Sequence, residues 1–190
     1  MPRDPFHVAL IGYGLAGACF HAPFIATTPG LRLTMIVTRD PERRRQAARE
    51  HPQARIVPDA DALWRAAGNL DLVVVASPNR THVPFAHAAL DAGLSVVVDK
   101  PIAATAEQAR ELAARSKPDA FVTVFQNRRW DGDFLTLRRL LDEQRLGAEQ
   151  DLGEARGQDE QGLAAHLVEA GGELGEAGLH ARPAPARSGR

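Results

Sequence analysis

Apolar residues fall into short runs separated by longer amphipathic stretches. The run Phe6-His7-Val8-Ala9-Leu10-Ile11 predicts a buried strand, and 31–38, 55–57, 71–76, 95–98 and 121–125 predict five more. Residues 72–76 are continuously apolar, as expected of a parallel strand covered on both faces. Between these runs lie Ala-, Arg- and Leu-rich segments with helical signals. Residues 15–27 read as one helix. Asp40-Pro41-Glu42 starts another, with Asp40 as N-cap and Pro41 at the first helical position. Asp59 or Asp61 opens the helix that holds Leu63 and Trp64, and 81–91 form a fourth, closed by Gly93. Thr105-x-x-Gln108 is a capping box for a helix reaching about Ser116, and a last helix runs from Asp131 to about Arg145. This alternation predicts an α/β fold, a doubly wound parallel sheet. Right-handed crossovers then gather the strand-to-helix loops at one edge, where ligands bind.

The pattern stops near Gly147. All ten aromatic residues lie between Phe6 and Phe134, whereas from Asp142 onward only seven of 49 residues are Leu, Ile, Val or Phe. That final stretch carries a net charge of -5 against +4 for the first 141 residues. So low an apolar content cannot offset the entropy of ordering the chain. One domain is therefore expected over 1–147, followed by a largely unstructured tail over 148–190.

Composition narrows the function. A formal net charge of -1 argues against a general nucleic-acid binder, which needs a basic surplus. The longest apolar runs, 72–76 and 94–98, are far too short to cross a bilayer, so no membrane association is expected. The N-terminus has no secretory pattern, and the single cysteine, Cys19, cannot make an internal disulfide, so a cytoplasmic location is expected. Cys19 reads as a small core residue. The seven histidines show no metal-ligand spacing, and no metal site is expected.

The chemistry lies in the loops after the strands. Gly12-Tyr13-Gly14-Leu15-Ala16-Gly17 follows a predicted strand and opens a predicted helix, the context in which G-x-G-x-x-G binds a dinucleotide. Gly12 permits the tight turn, Gly14 lets a pyrophosphate approach the backbone, and Gly17 lets helix and strand pack closely. The second strand ends Val37-Thr38-Arg39-Asp40. Arg39 can pair with a 2′-phosphate and Thr38 can donate to it, with Arg43 and Arg44 adding charge. NADP is accordingly favoured over NAD. In Ser77-Pro78-Asn79-Arg80-Thr81-His82, Asn79 or Thr81 can cap the next helix, so Asn79 is first a cap and turn residue, while His82 either sits at the surface or faces the cofactor cleft. In Val98-Asp99-Lys100-Pro101, a lysine at the end of a buried strand would be desolvated. It could hold a substrate hydroxyl or join in proton transfer, or it could simply snorkel to solvent. Gln126 and Asn127 bring amides to the same edge, and Arg128 and Arg129 either meet an anion or a partner domain or form a solvated pair.

Taken together, the glycine loop, Ser77-Pro78-Asn79 with His82, Asp99-Lys100-Pro101 and Gln126-Asn127-Arg128-Arg129-Trp130-Asp131 resemble the N-terminal half of the Gfo/Idh/MocA oxidoreductases. The segment ending Phe20-His21-Ala22-Pro23-Phe24 is most similar to the inositol-dehydrogenase-like members. The resemblance covers Phe6 to about Gly147. It implies a Rossmann half that binds NAD or NADP and a second α/β half that binds a sugar or polyol and often mediates oligomerisation. The reaction it implies is hydride transfer between the nicotinamide and a hydroxyl-bearing carbon. It makes Lys100 the catalytic lysine of a Glu-Lys-Pro motif whose proline peptide is often cis, with Asp99 in place of the usual glutamate. It implies a cofactor-binding set of Gly12, Tyr13, Gly14, Leu15, Ala16, Gly17, Thr38, Arg39, Ser77, Pro78, Asn79, His82, Asp99, Lys100, Gln126 and Asn127. The family's second-half Asp-x-x-x-His motif has no counterpart here. Gly162 stands where Asp is required before His166, and Glu176-x-x-x-His180 is isolated. The chain thus reads as truncated or frameshifted after about residue 147, without the substrate and oligomerisation domain and with impaired turnover. The alternative is an inactive dinucleotide-binding module or sensor.

Overall fold

Every strand expected from the apolar runs is present in the computed structural model, which describes residues 4–145. The tail expected over 148–190 lies outside the described residues. The strands are β1 (Phe6–Ile11), β2 (Leu31–Val37), β3 (Arg55–Val57), β4 (Leu72–Val75), β5 (Ser95–Asp99) and β6 (Val122–Phe125). They form one sheet in the order β3-β2-β1-β4-β5-β6, and all five pairings are parallel. The order reverses between β1 and β4, which opens a crevice at their carboxyl ends.

The alternation of side chains along each strand divides the core in two. Val8 and Leu10 of β1 face one cluster with Leu33, Ile36 and Val74, together with Ala22 and Ile25 of α1 (Ala22–Thr27) and Ala47 of α2 (Pro41–Glu50). Ala9 and Ile11 face the other, with Val73, Val75, Val96 and Val98. This second face is covered by Leu63 of α3 (Asp61–Arg65), Ala86 and Ala89 of α4 (His82–Asp91), and Leu112 of α5 (Ala106–Arg115). Each fully buried Val or Leu contributes about 1.5–3 kcal/mol, so the continuous valine runs of β4 and β5 anchor both clusters. The last helix, α6 (Gly132–Asp142), buries none of its residues among those described.

Local signals act largely as expected. Asp40 caps α2, accepting from the Glu42 and Arg43 amides at 2.9 and 3.0 Å. Asp59 rather than Asp61 tethers α3, accepting from the Ala62 amide at 3.1 Å. Gly93 ends α4 with a φ of 72°. Thr105 accepts from the Gln108 amide, but Gln108 reaches back to the Ala104 amide, one residue earlier than a reciprocal box requires.

Two expectations are corrected. The helix over 15–27 is widened into a π-helical turn at Gly17–His21, closed by the Ala22 amide on the Gly17 carbonyl. Such turns are rare and carry no signature in hydrophobic period. Cys19, read as a core residue, lies on the outside of this turn and is exposed.

Candidate functional site

Each glycine of the loop has a distinct steric reason. Gly12 has a φ of 101°, and a Cβ there would lie 2.3 Å from the Ala76 carbonyl oxygen. The turn therefore passes directly over the end of β4. A Cβ on Gly17 would lie 2.1 Å from the Gly12 carbonyl oxygen, so the helix starts in contact with the turn. Gly14 differs. A Cβ there would meet only the Arg43 guanidinium, at 3.5 Å. Its backbone is open at the sheet edge with a cation beside it, which fits an approaching pyrophosphate. The Ala18 amide donates to the Gly14 carbonyl at 2.8 Å, so the amides before it have no helical acceptor and remain for an anion.

Tyr13 enters this site through its backbone alone. Its side chain is 1% exposed and packs in the core beneath the loop. Its hydroxyl donates to the Glu50 carboxylate at 2.5 Å, and its ring meets that of His51 edge-on at 6.0 Å. Burial pushes the phenol far above its ordinary range, and the hydrogen bond holds Glu50 below the usual carboxylate range. Burial also pushes His51 below the ordinary histidine value, with Glu50 partly opposing. The folded state therefore favours neutral His51, whereas the unfolded chain takes up a proton near about pH 6.5. His51 thus contributes stability above that pH, and the contribution is lost as pH falls below it. The melting temperature should drop between about pH 7.5 and 5.5. His51→Gln should flatten that drop, and an unchanged slope by calorimetry would refute the assignment.

Thr38 is buried and continues the strand end by donating its amide to Val57, while Arg39 is exposed beyond it. In the fourth loop the expected caps do not form. Neither Asn79 nor Thr81 makes a side-chain cap bond. Thr81 instead donates to the Pro78 carbonyl and pairs with the Ser77 hydroxyl at 2.7 Å, because the chain first takes a tight turn at Asn79–Thr81. That leaves the exposed Asn79 amide without a side-chain hydrogen bond among the described residues. His82 is not at the surface. It is 1% exposed, with Nδ1 2.7 Å from the Pro101 carbonyl and Nε2 2.8 Å from the Ser77 carbonyl.

For Lys100 the solvated alternative holds in the chain as described. It follows β5 at the carboxyl edge and is exposed, not desolvated. Asp99 accepts from the Lys100 backbone amide at 2.8 Å, and no ion pair joins it to the ammonium. The Lys100–Pro101 peptide is cis, as the resemblance implied. Gln126 is exposed and Asn127 half-buried at the end of β6. Arg128 pairs with Asp131 at 3.4 Å, and Arg129 is exposed.

Sequence reasoning missed His21. It is 5% exposed on the π-helical turn, with Nε2 3.6 Å from an Asp99 carboxylate oxygen and its ring 4.4 Å from that of Phe125. Burial pushes it below the ordinary histidine value, with Asp99 opposing. Among the described residues, no helix is long and apolar enough to cross a membrane, and no three potential metal ligands converge.

Comparison with known proteins agrees with this geometry. The model of an oxidoreductase family with an NAD-binding Rossmann fold, GFO_IDH_MocA, matches residues 6–124. The uncharacterised oxidoreductase YdgJ of Escherichia coli K12 is 48% identical over 145 residues, 76% of this chain and 41% of the relative. IolW of Bacillus subtilis 168, a scyllo-inositol 2-dehydrogenase (NADP(+)), is 33% identical over 141 residues, 74% of this chain and 38% of the relative. The crystal structure of an oxidoreductase from Bacillus cereus superposes with a TM-score of 0.66 at 29% identity, covering 73% of this chain and 40% of that one. The chain spans about two fifths of the length of these relatives.

Proposed function

The chain belongs to the Gfo/Idh/MocA oxidoreductase family, and from that premise we propose that it binds NADP at the carboxyl edge of its sheet, in an enzyme that exchanges a hydride with a sugar or polyol carbon. The observation that carries the reading is the convergence of five loops on one edge of a sheet whose strand order reverses between β1 and β4. The residues assigned to the dinucleotide are those of the glycine loop, Thr38, Arg39, Ser77, Pro78, Asn79, His82, Asp99, Lys100, Gln126 and Asn127. Backbone at Gly14 and the free amides after it would take the pyrophosphate. Tyr13 and His82 contribute from below, by packing and by holding loops, since their side chains are engaged within the protein. When bound, the dinucleotide supplies the acceptor for the hydride.

Lys100 is assigned to the substrate hydroxyl. A cation at that oxygen favours the alkoxide character that develops as the proton leaves. The polyol class is supported by the name of IolW and by the inositol-dehydrogenase-like segment at Phe20–Phe24. Fluorescence titration of the 190-residue chain should show NADPH binding tighter than NADH. An inositol and sugar panel with NADP should show turnover that Lys100→Ala lowers by about a hundredfold, the scale on which misplacing a reacting group costs rate. Absence of dinucleotide binding would overturn the proposal. Binding without turnover on any polyol would replace the enzyme with a dinucleotide-binding module.

A further inference from the structure

Lys100 stands between two residues that are each held by a buried histidine. On one side, the Asp99 carboxylate lies 3.6 Å from His21 Nε2 with one oxygen and accepts from the Lys100 amide at 2.8 Å with the other. On the other, the Pro101 carbonyl lies 2.7 Å from His82 Nδ1, while His82 Nε2 reaches the Ser77 carbonyl at 2.8 Å. The histidines come from different parts of the chain. His21 belongs to the π-helical turn after the glycine loop, and His82 begins α4. One imidazole therefore ties the first loop to the end of β5, and the other ties the fourth loop to the fifth.

These contacts matter because Lys100 has no tether of its own. It is exposed and makes no side-chain hydrogen bond or ion pair among the described residues. Its place is set by the backbone on which it sits. Burial makes the His82 grip costly to lose, since a buried polar group left without a partner costs about 1–3 kcal/mol. Ser77 and Pro101 offer only accepting oxygens to His82, so whichever tautomer the ring takes, an N–H group donates to one of them while the other ring nitrogen packs against the second. His21 is packed against Phe125, and at 3.6 Å its Nε2 is the one buried side-chain nitrogen or oxygen left without a hydrogen bond among the described residues. It is aimed at the Asp99 carboxylate.

We propose that His21 and His82 are positioning residues for Lys100, gripping Asp99 and Pro101 so that the turn between them presents the lysine at the dinucleotide edge. The functional weight of this clamp rests on the assignment of Lys100 to the substrate. The clamp itself does not.

The chain has only two lysines, Lys100 and Lys117, which makes the test direct. Reductive methylation of the full chain with 13C-formaldehyde labels both together with the N-terminal amine, and Lys117→Arg and Lys100→Arg assign the two lysine NMR signals. His21→Phe and His82→Phe keep ring volume while removing the nitrogens. In each, the Lys100 dimethyl signal should move by more than its linewidth, toward that of a free lysine, while the Lys117 signal stays in place. His82→Gln, which retains a donor, should recover part of the shift. Asp99→Asn keeps an acceptor for the Lys100 amide and removes only the charge facing His21. It should reproduce the His21→Phe shift and add nothing to it in the double variant. A Lys100 signal that superimposes on wild type in the histidine variants would overturn the clamp. Should those variants fail to fold, an unmoved signal in Asp99→Asn would overturn its His21 arm. If Lys100→Ala leaves dinucleotide affinity and turnover unchanged, the substrate assignment fails even where the Lys100 shifts are observed.

Discussion

Gly12→Ala is expected to cost the domain roughly 2–6 kcal/mol and to abolish dinucleotide binding, because two penalties fall on one position. The first is conformational. At a φ of 101° an alanine sits where L-residues are strained by about 1–3 kcal/mol. The second is steric. The new Cβ would lie 2.3 Å from a backbone carbonyl oxygen, which cannot swing aside as a side chain can. Relief requires the glycine loop to lift off β4 or the end of β4 to move, typically at a further 1–3 kcal/mol or so. Either movement displaces the amides assigned to the pyrophosphate. Against a typical total stability of about 5–15 kcal/mol, the loss is large. Gly30→Ala separates the two terms, since Gly30 has a φ of 85° but nothing within 4 Å of its would-be Cβ. It should carry only the conformational cost. Gly68→Ala, with no positive φ and open space, should be close to neutral. Urea denaturation of the three variants should rank them in that order. Equal losses for Gly12→Ala and Gly30→Ala would show that contact with Ala76 is not what makes Gly12 necessary.

The same comparison shows what a sequence can and cannot disclose. The valine runs of β4 and β5 announce a parallel sheet because nearly every residue must be apolar when both faces are covered. Gly93 and Asp40 act through bonds to residues two to four positions away, and such local chemistry is written in order along the chain. Lys100 and Asn79 illustrate the limit. Their loops were legible, but solvation and partners depend on what the fold brings alongside. Asn79 lost its capping role to a tight turn that Thr81 stabilises through the Pro78 carbonyl. Tyr13 sits inside the glycine motif, yet its ring turns into the core because α2 ends beside it with Glu50 and His51. His21 and Asp99 are 78 positions apart. Only the order β1-β4-β5 and the extra residue in the π-helical turn bring them together, and neither leaves a spacing to read. A histidine one turn into the helix that follows the glycine motif is the faint signal that was available.

Removing Arg39 or Arg43 should each lower NADPH affinity by about tenfold, and removing both by about a hundredfold, with NADH affinity nearly unchanged. Each arginine would make one charge-assisted bond to the 2′-phosphate, worth about 1.5–3 kcal/mol. Both side chains are exposed, so solvent screening favours the low end of that range. The geometry explains why two cations are available. Arg39 follows Thr38 at the end of β2, and Asp40 fixes the start of α2, which carries Arg43 back over the glycine loop to 3.5 Å from the would-be Cβ of Gly14. That proximity also raises a rival placement, in which Arg43 meets the pyrophosphate common to both cofactors. The two placements separate cleanly in Arg43→Ala. Loss confined to NADPH, and diminishing as salt is raised, puts the guanidinium on the 2′-phosphate. An equal loss for NADH and NADPH puts it on the pyrophosphate and leaves selection to Arg39. Equal affinity of the unaltered chain for the two dinucleotides would remove the basis for an NADP preference altogether, whichever phosphate Arg43 meets.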